Sequence, residues 1–474
     1  MIDWNKHLLF AVVVAGIGSS WQPGYSTGVL NEPADAIKDW LRETDCVVKG
    51  KDCAGSMDHS RTLLIWTWIV SIYTLGGLTG SLFIKVIASK LGRKVGLLAN
   101  NTLVLIAVIF MCSSRVLDSW ALFLVGRFVI GVNSGINAGI APMYLTEISP
   151  TSLRGSIGTV YQLGITFSIL MSQVFGLSSV VGTKQDWPWL LAITLIPAIL
   201  QVILFSFCPE SPKHLLLDKG DELAARKSLI WLRRTENVGH EMQQMMVEQE
   251  IMKQNPPATL KKIFTKKAYQ MPTIIAIVMM LAQQLTGIGA VTFFSSDIFK
   301  TANLSLSASQ NATLLMRITY LGMTFASLAM IEKYGRKTLM MAGLVGMVAS
   351  TALLFISLAT VDLASPMAYV VILSVVTFVL AFATGPGSIP WFFVTELFTQ
   401  NARPVATTVA NAVNWAANFI VGFSFPLIEE QIGEIVFLFF IVIQIGILLF
   451  VWKYVPETKG KTVEEITAEY RNGT

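Results

Sequence analysis

Five amide side chains, Gln162, Gln283, Gln284, Asn414 and Asn418, lie inside long apolar runs of this chain. An amide both donates and accepts hydrogen bonds. It therefore answers a neutral ligand whose hydroxyls do the same. Trp391 and Trp415 lie in the same kind of run and offer flat faces for the C–H surface of a ring. Polar side chains in apolar spans are costly and tend to face an interior cavity. The competing reading of any one amide is an interhelical hydrogen bond worth about 0.6–2 kcal/mol. Gln283 and Gln284, adjacent in sequence, favour ligand contact when taken together.

A second pattern is charged, and it is written twice. Gly92-Arg93-Lys94 returns as Gly335-Arg336-Lys337, and Pro209-Glu210-Ser211 returns as Pro456-Glu457-Thr458. Glu147 followed by Arg154 returns as Glu396 followed by Arg403. One unit has been duplicated in parallel, a pattern common in transporters, where the substrate site lies at the repeat interface. Glycine before two cations permits a tight turn at the membrane surface. Arg93, Glu147, Arg154, Arg336, Glu396 and Arg403 are expected to pair across helix ends and latch the halves on the cytoplasmic side.

The elements that must position these residues follow from composition. Hydrophobic residues make up 53% and charged residues 14% of 474 positions. Ordinary soluble domains could not bury that much apolar surface. The class expected is an all-α membrane protein of twelve transmembrane helices in two six-helix pseudo-repeat bundles with a cytoplasmic helical connector. The boundaries read as 1–207 for the first bundle, 208–268 for the connector, 269–454 for the second bundle and 455–474 for a tail. Lys and Arg crowd the connector and the loops of the repeated signature, which puts both termini in the cytoplasm. Net charge is +5, but the basic residues sit between apolar runs, so nucleic acid is not an expected partner.

On this orientation the 29–62 loop is extracellular. It holds Cys46 and Cys53, for which a disulfide and two free thiols are both open readings. Asn303 and Asn311 head acceptor sequons in the outer loop before span eight. The connector carries alternating apolar and basic residues from Leu223 to Arg233, as expected for helices lying on the cytoplasmic face.

With these pieces in place the chain resembles the facilitative hexose transporters, sugar porters of the major facilitator superfamily. The resemblance runs over essentially the whole chain. It rests on Gly92-Arg93-Lys94, Gly126-Arg127-Phe128, Pro150 to Gly155, Pro209 to Lys213 and Gln283 to Gly287, then on Gly385 to Trp391, Asn414-Trp415 with Asn418, and Pro456 to Gly460. It implies that Gln162, Gln283, Gln284, Trp391 and Asn414 line a sugar site, with Asn418 beside them. The chain departs from the pattern at Gly289 and Tyr320, where the family usually has asparagines, at Ala383 in place of a glutamate, and at Ser388 in place of a proline. The pocket is thus redrawn.

Two charges bear on the outer side. Asp297 closes span seven and Arg317 lies in the outer part of span eight, and the pair is expected to form an outer gate unless Arg317 snorkels or attracts an anion. The stretch Gln22 to Gly28 holds no acid, and Glu32 and Asp35 follow the end of span one, so no carboxylate is expected to load a proton there. The function implied is uncoupled transport of a hexose such as glucose or fructose by alternating access, in an integral, plasma-membrane protein set in the lipid bilayer. A polyol, an organic anion such as urate, or a sugar sensor without transport are the alternatives. His7, His59, His214 and His240 lie in loops or ends, and no nucleophile–base pair or metal set is present. Neither an enzyme, a cofactor nor a metal is expected.

Overall fold

The computed structural model describes residues 4–49, 59–150, 153–254, 258–362, 366–399 and 401–459. Its helices run in order α1 (Lys6–Gly28), α2 (Ala34–Lys49), α3 (His59–Lys90), α4 (Arg93–Val116), α5 (Trp120–Ile148), α6 (Arg154–Gly176), α7 (Trp187–Ala192) and α8 (Leu195–Phe205). A short π turn at His214–Asp218 precedes α9 (Glu222–Arg233), α10 (Gly239–Gln254) and α11 (Leu260–Thr265). Then come α12 (Lys267–Leu285), α13 (Ile288–Thr301), α14 (Leu306–Tyr334), α15 (Arg336–Ala359), α16 (Met367–Thr384), α17 (Ile389–Glu396), α18 (Arg403–Ile432) and α19 (Val436–Tyr454).

Ten stretches of the described residues are long and apolar enough to cross a membrane. The last of them, Arg403–Tyr454, contains two helices that part at Gly433, whose φ of 59° only glycine adopts readily. Helix α1 has 23 residues, enough to span, and its buried Ser19, Ser20 and Gln22 lower its apolar content. Twelve membrane helices result. Three of the expected spans are broken in two: α7 with α8, α12 with α13, and α16 with α17.

The chain forms two compact units. One is Met1–Val29, Asp39–Gly55 and Ile72–Pro256, and the other is Leu30–Lys38, Ser56–Ser71 and Pro257–Thr474. The core of the first gathers Leu8, Ala11, Ile140, Tyr144, Ile157 and Phe205, all fully buried. That of the second gathers Ile275, Met279, Met280, Phe393 and Phe398. The connector set apart on sequence at 208–268 packs with the first unit as far as Pro256. Leu232 of α9 is buried in the first unit's core and Arg233 donates to the Ile148 carbonyl at 2.9 Å, while Leu216, Ala225, Leu229, Val238, Met242 and Met245 form a satellite core of the connector itself.

The repeated signature builds the same joint in each unit. Gly92 precedes α4 at φ 89°, and the Arg93 and Lys94 backbone N–H groups both donate to Glu210 Oε1 at 3.0 Å. Gly335 precedes α15 at φ 87°, and the Arg336 and Lys337 N–H groups donate to Glu457 at 2.9 and 3.0 Å. Each carboxylate caps the first turn of a distant helix, where unpaired N–H groups and the helix dipole favour negative charge. A β-carbon on Gly335 would lie 2.6 Å from Glu457 Oε2, so the glycine is needed for space as well as for φ.

The guanidiniums extend the joint. Arg93 Nη2 donates to Glu147 Oε1 at 2.9 Å, and Arg336 Nη2 donates to Glu396 Oε1 at 3.0 Å. Ser211 and Thr458 donate their hydroxyls to the other oxygens of Glu147 and Glu396. In the first unit Arg93 also meets Asp218 at 2.6 Å. These pairs are internal to their units. Arg403 donates to the Phe398 carbonyl at 3.3 Å rather than to a carboxylate, and the Arg154 side chain lies outside the described residues.

Replacing Glu457 by Ala is expected to lower the stability of the second unit by about 1–2 kcal/mol, as loss of a charged helix cap does elsewhere. Gly335→Ala should cost at least as much. Thermal unfolding of the detergent-solubilised protein would check both.

Candidate substrate site

Of the five amides expected to bind substrate, Gln283, Gln284 and Asn414 are brought together in the second unit and already have partners. Gln283 ends α12 just before Gly287, which at φ 98° breaks the span. Its Nε2 donates to the Gly387 carbonyl at 2.7 Å and approaches that of Pro386 at 3.3 Å. Those carbonyls belong to the Gly385-to-Ser388 break between α16 and α17, where helical pairing lapses. Asn414 of α18 donates to Gln283 Oε1 at 2.6 Å and accepts from Gln284 Nε2 at 3.2 Å. All three side chains are buried. The cluster thus serves structure first: it supplies a donor to a break that has no water to turn to.

Asn418 is different. It lies one turn beyond Asn414 on α18, and its buried Oδ1 accepts no hydrogen bond. Gly289 faces it: a β-carbon there would stand 3.5 Å from that oxygen and 3.5 Å from Val421, which is ordinary contact. The departure from an amide at position 289 therefore leaves this acceptor without a side-chain donor from α13. Tyr320 is half-buried on α14 with its ring 6.2 Å from that of Phe382. Trp391 is half-buried on α17 against the core. Gln162 stands half-buried on α6, in the first unit.

The outer pair expected between Asp297 and Arg317 is not formed. Asp297 meets Lys38 at 3.1 Å and Lys300 at 3.6 Å. Arg317 is 2% exposed and donates through Nη2 to the Thr292 carbonyl at 2.6 Å. The physical reason is a kink. Phe294 has non-helical φ and ψ (−127°, 20°), so the Ser296 N–H turns to Asn31 Oδ1 at 3.3 Å and the Thr292 carbonyl takes Arg317 instead.

The same region corrects the reading of Glu32. Read as lying beyond the end of span one, it is 7% exposed, and its Oε1 accepts from Ser296 Oγ at 3.1 Å. Segment 30–38 folds onto α13, far away in sequence. Burial pushes the Glu32 carboxyl up to about 6, against the pull of Ser296, Gln310, Lys300 and Arg317.

Cys53 lies outside the described residues, as does the Cys46 side chain. Asn303 is exposed at φ 59° and donates to Asp362 Oδ1 at 3.0 Å, while Asn311 is exposed within α14. Among the described residues no group of histidine, cysteine and acidic side chains could hold a metal.

Residues 11–470 match the family model described as "Sugar (and other) transporter". The chain is 40% identical over 467 residues to the human solute carrier family 2, facilitated glucose transporter member 3, covering 98% of this chain and 92% of that one. It is 39% identical over 464 residues to mouse member 4 of the same series, covering 98% and 91%. Among solved structures, the proton:xylose symporter XylE bound to 6-bromo-6-deoxy-D-glucose superposes with a TM-score of 0.80 at 22% identity, over 98% of this chain and 99% of that one. An inward-open XylE from E. coli gives 0.79 at 23% identity, covering 97% and 99%. Twelve membrane helices, a duplicated Gly-Arg-Lys joint and this match across nearly the whole length place the chain in the family of membrane sugar transporters, within the major facilitator fold.

Proposed function

We propose that this protein moves a hexose, or a polyhydroxylated solute of similar size, across the membrane by facilitated diffusion and alternating access. The observation that carries this reading is the side-chain oxygen of Asn418, buried, unpartnered and facing Gly289, which has no side chain to donate to it. A hydroxyl donor would satisfy it. The neighbouring amides Gln283, Gln284 and Asn414 are rigidly held, so they can present their remaining hydrogen-bonding capacity to a ligand at little ordering cost. The names of the relatives, facilitated glucose transporters, support the same solute class.

Orientation follows the Lys and Arg distribution, with both termini cytoplasmic and the Arg93–Glu147 and Arg336–Glu396 joints on that side. Asn303 and Asn311 would face outside, open to glycosylation. A second reading, an organic anion as substrate, has Arg317 in its favour: its Nε is buried without a partner on the helix that carries Tyr320.

Counterflow in proteoliposomes against labelled hexoses, polyols and organic anions separates the two. Saturable hexose exchange that a protonophore leaves unchanged is the expected result, and anion exchange with no hexose exchange would reverse the choice.

Asn418→Ala is expected to raise the hexose KM by about tenfold, the worth of one lost hydrogen bond of about 1.4 kcal/mol, with little change in melting temperature. Gln283→Leu should instead lower stability by about 1–3 kcal/mol, because the carbonyls of the Gly385-to-Ser388 break lose their donor. The double variant Gly289→Asn with Tyr320→Asn is expected to change the order of preference among hexoses in the same assay. An unchanged order would place the selectivity elsewhere.

A further inference from the structure

Glu32, Ser296 and Arg317 form a buried polar group in the second unit that the hexose reading above does not use. We infer that Glu32 is a proton-binding site that holds segment 30–33 onto α13, so that acid slows transport without supplying a coupled proton; this rests on the transport reading above.

The geometry is specific. Glu32 Oε1 accepts from Ser296 Oγ, which also lies 3.4 Å from Thr313 Oγ1. Asn31 Nδ2 donates to Ser295 Oγ at 2.9 Å, and Asn31 Oδ1 accepts from the Ser296 N–H, so two successive residues tie the segment to α13 at its kink. Glu32 Oε2 is buried and lies outside hydrogen-bond geometry, with Gln310 the one neutral side chain besides Ser296 that favours its charged form. A charged oxygen left so is costly, and a proton on it removes the cost. The charges acting on Glu32 are Lys300 of α13 and Arg317 of α14. Lys300 is shared with Asp35 at 2.6 Å and with Asp297. Arg317 keeps one hydrogen bond to the Thr292 carbonyl and an unpartnered Nε, so neither cation closes on Oε2.

The direction follows from linkage. A carboxyl that sits at about 6 when buried and near its ordinary value of 4.5 when hydrated binds its proton more tightly in the packed arrangement. As pH falls from above 6 toward 4.5, the packed arrangement gains over any in which segment 30–33 leaves α13. Between pH 7.5 and pH 5 that gain amounts to roughly five- to tenfold.

Two measurements test this. In proteoliposomes with equal pH on both sides, wild-type hexose exchange should fall roughly five- to tenfold from pH 7.5 to pH 5. Glu32→Gln should be flat over that range and as slow at pH 7.5 as wild type is in acid. Ser296→Ala keeps the carboxyl but removes a donor that favours its charged form, so its midpoint should move to higher pH. The second measurement needs no substrate. The melting temperature of solubilised wild type should rise, relative to Glu32→Gln, as pH drops from 7.5 to 5. Every other titratable group is the same in both proteins, so it cancels from the difference. A wild-type and Glu32→Gln pair with parallel pH profiles in melting overturns the inference, whatever solute the protein carries. Failure of hexose exchange with the melting difference intact overturns only the choice of solute.

Discussion

A backbone carbonyl within a bilayer has no water to bond, and every interruption of a helix there must be answered from inside the protein. Much of this molecule is arranged around that demand. The break at Gly385 to Ser388 is answered by Gln283, and the kink at Phe294 by Arg317 and Asn31. The gap between α7 and α8 is answered by Gln22, whose amide donates to the Thr194 carbonyl at 3.0 Å. Gln283, Arg317 and Gln22 donate from another helix, and Asn31 accepts the Ser296 N–H from the turn between α1 and α2, so each break also ties one segment to its neighbour. The amides that could hold a solute are positioned by the same bonds. The placement of Gln283 therefore depends on a broken helix, because a whole one would have no use for its amide at that depth.

The surface ends of the helices meet a related demand by different means. There the unpaired groups are N–H donors, and the answer is a carboxylate. Glu210 and Glu457 each cap a helix that begins more than a hundred residues earlier, while Arg93 and Arg336 carry the charge onward to Glu147 and Glu396. Duplication preserved this joint almost atom for atom, down to Lys94 on the Ser206 carbonyl and Lys337 on that of Trp452. The first copy adds a contact between Arg93 and Asp218, which has no counterpart among the described residues of the second unit, the last of them at 459.

How much of this could be read from residues alone varied with the kind of signal. Helix number, the repeat and the polar positions within apolar runs were legible, because hydropathy and glycine placement are local properties. Gln283, Gln284 and Asn414 were legible as polar in a costly place, but their partners were not. Nothing in the sequence says that a side chain of α12 faces the carbonyls of residues 386 and 387. Asp297 and Arg317 illustrate the limit: opposite charges near the same surface suggested a pair, yet the kink at Phe294 turns Arg317 to a carbonyl and leaves Asp297 to Lys38. Glu32 was misjudged for the opposite reason. Its neighbours in sequence are loop-like, and its burial comes from α13 and α14, brought to it by tertiary folding.

The distance spanned by the carboxylate caps bears on the order in which the protein can be made. Arg336 emerges from the ribosome 121 residues ahead of Glu457. Throughout that interval the first turn of α15 lacks its acceptor and Glu396 lacks the hydroxyl of Thr458. The second unit can insert its helices one by one, yet its charged joint closes only with almost the last of the described residues. A chain stopped short of Pro456 would carry every membrane span and still leave that joint open.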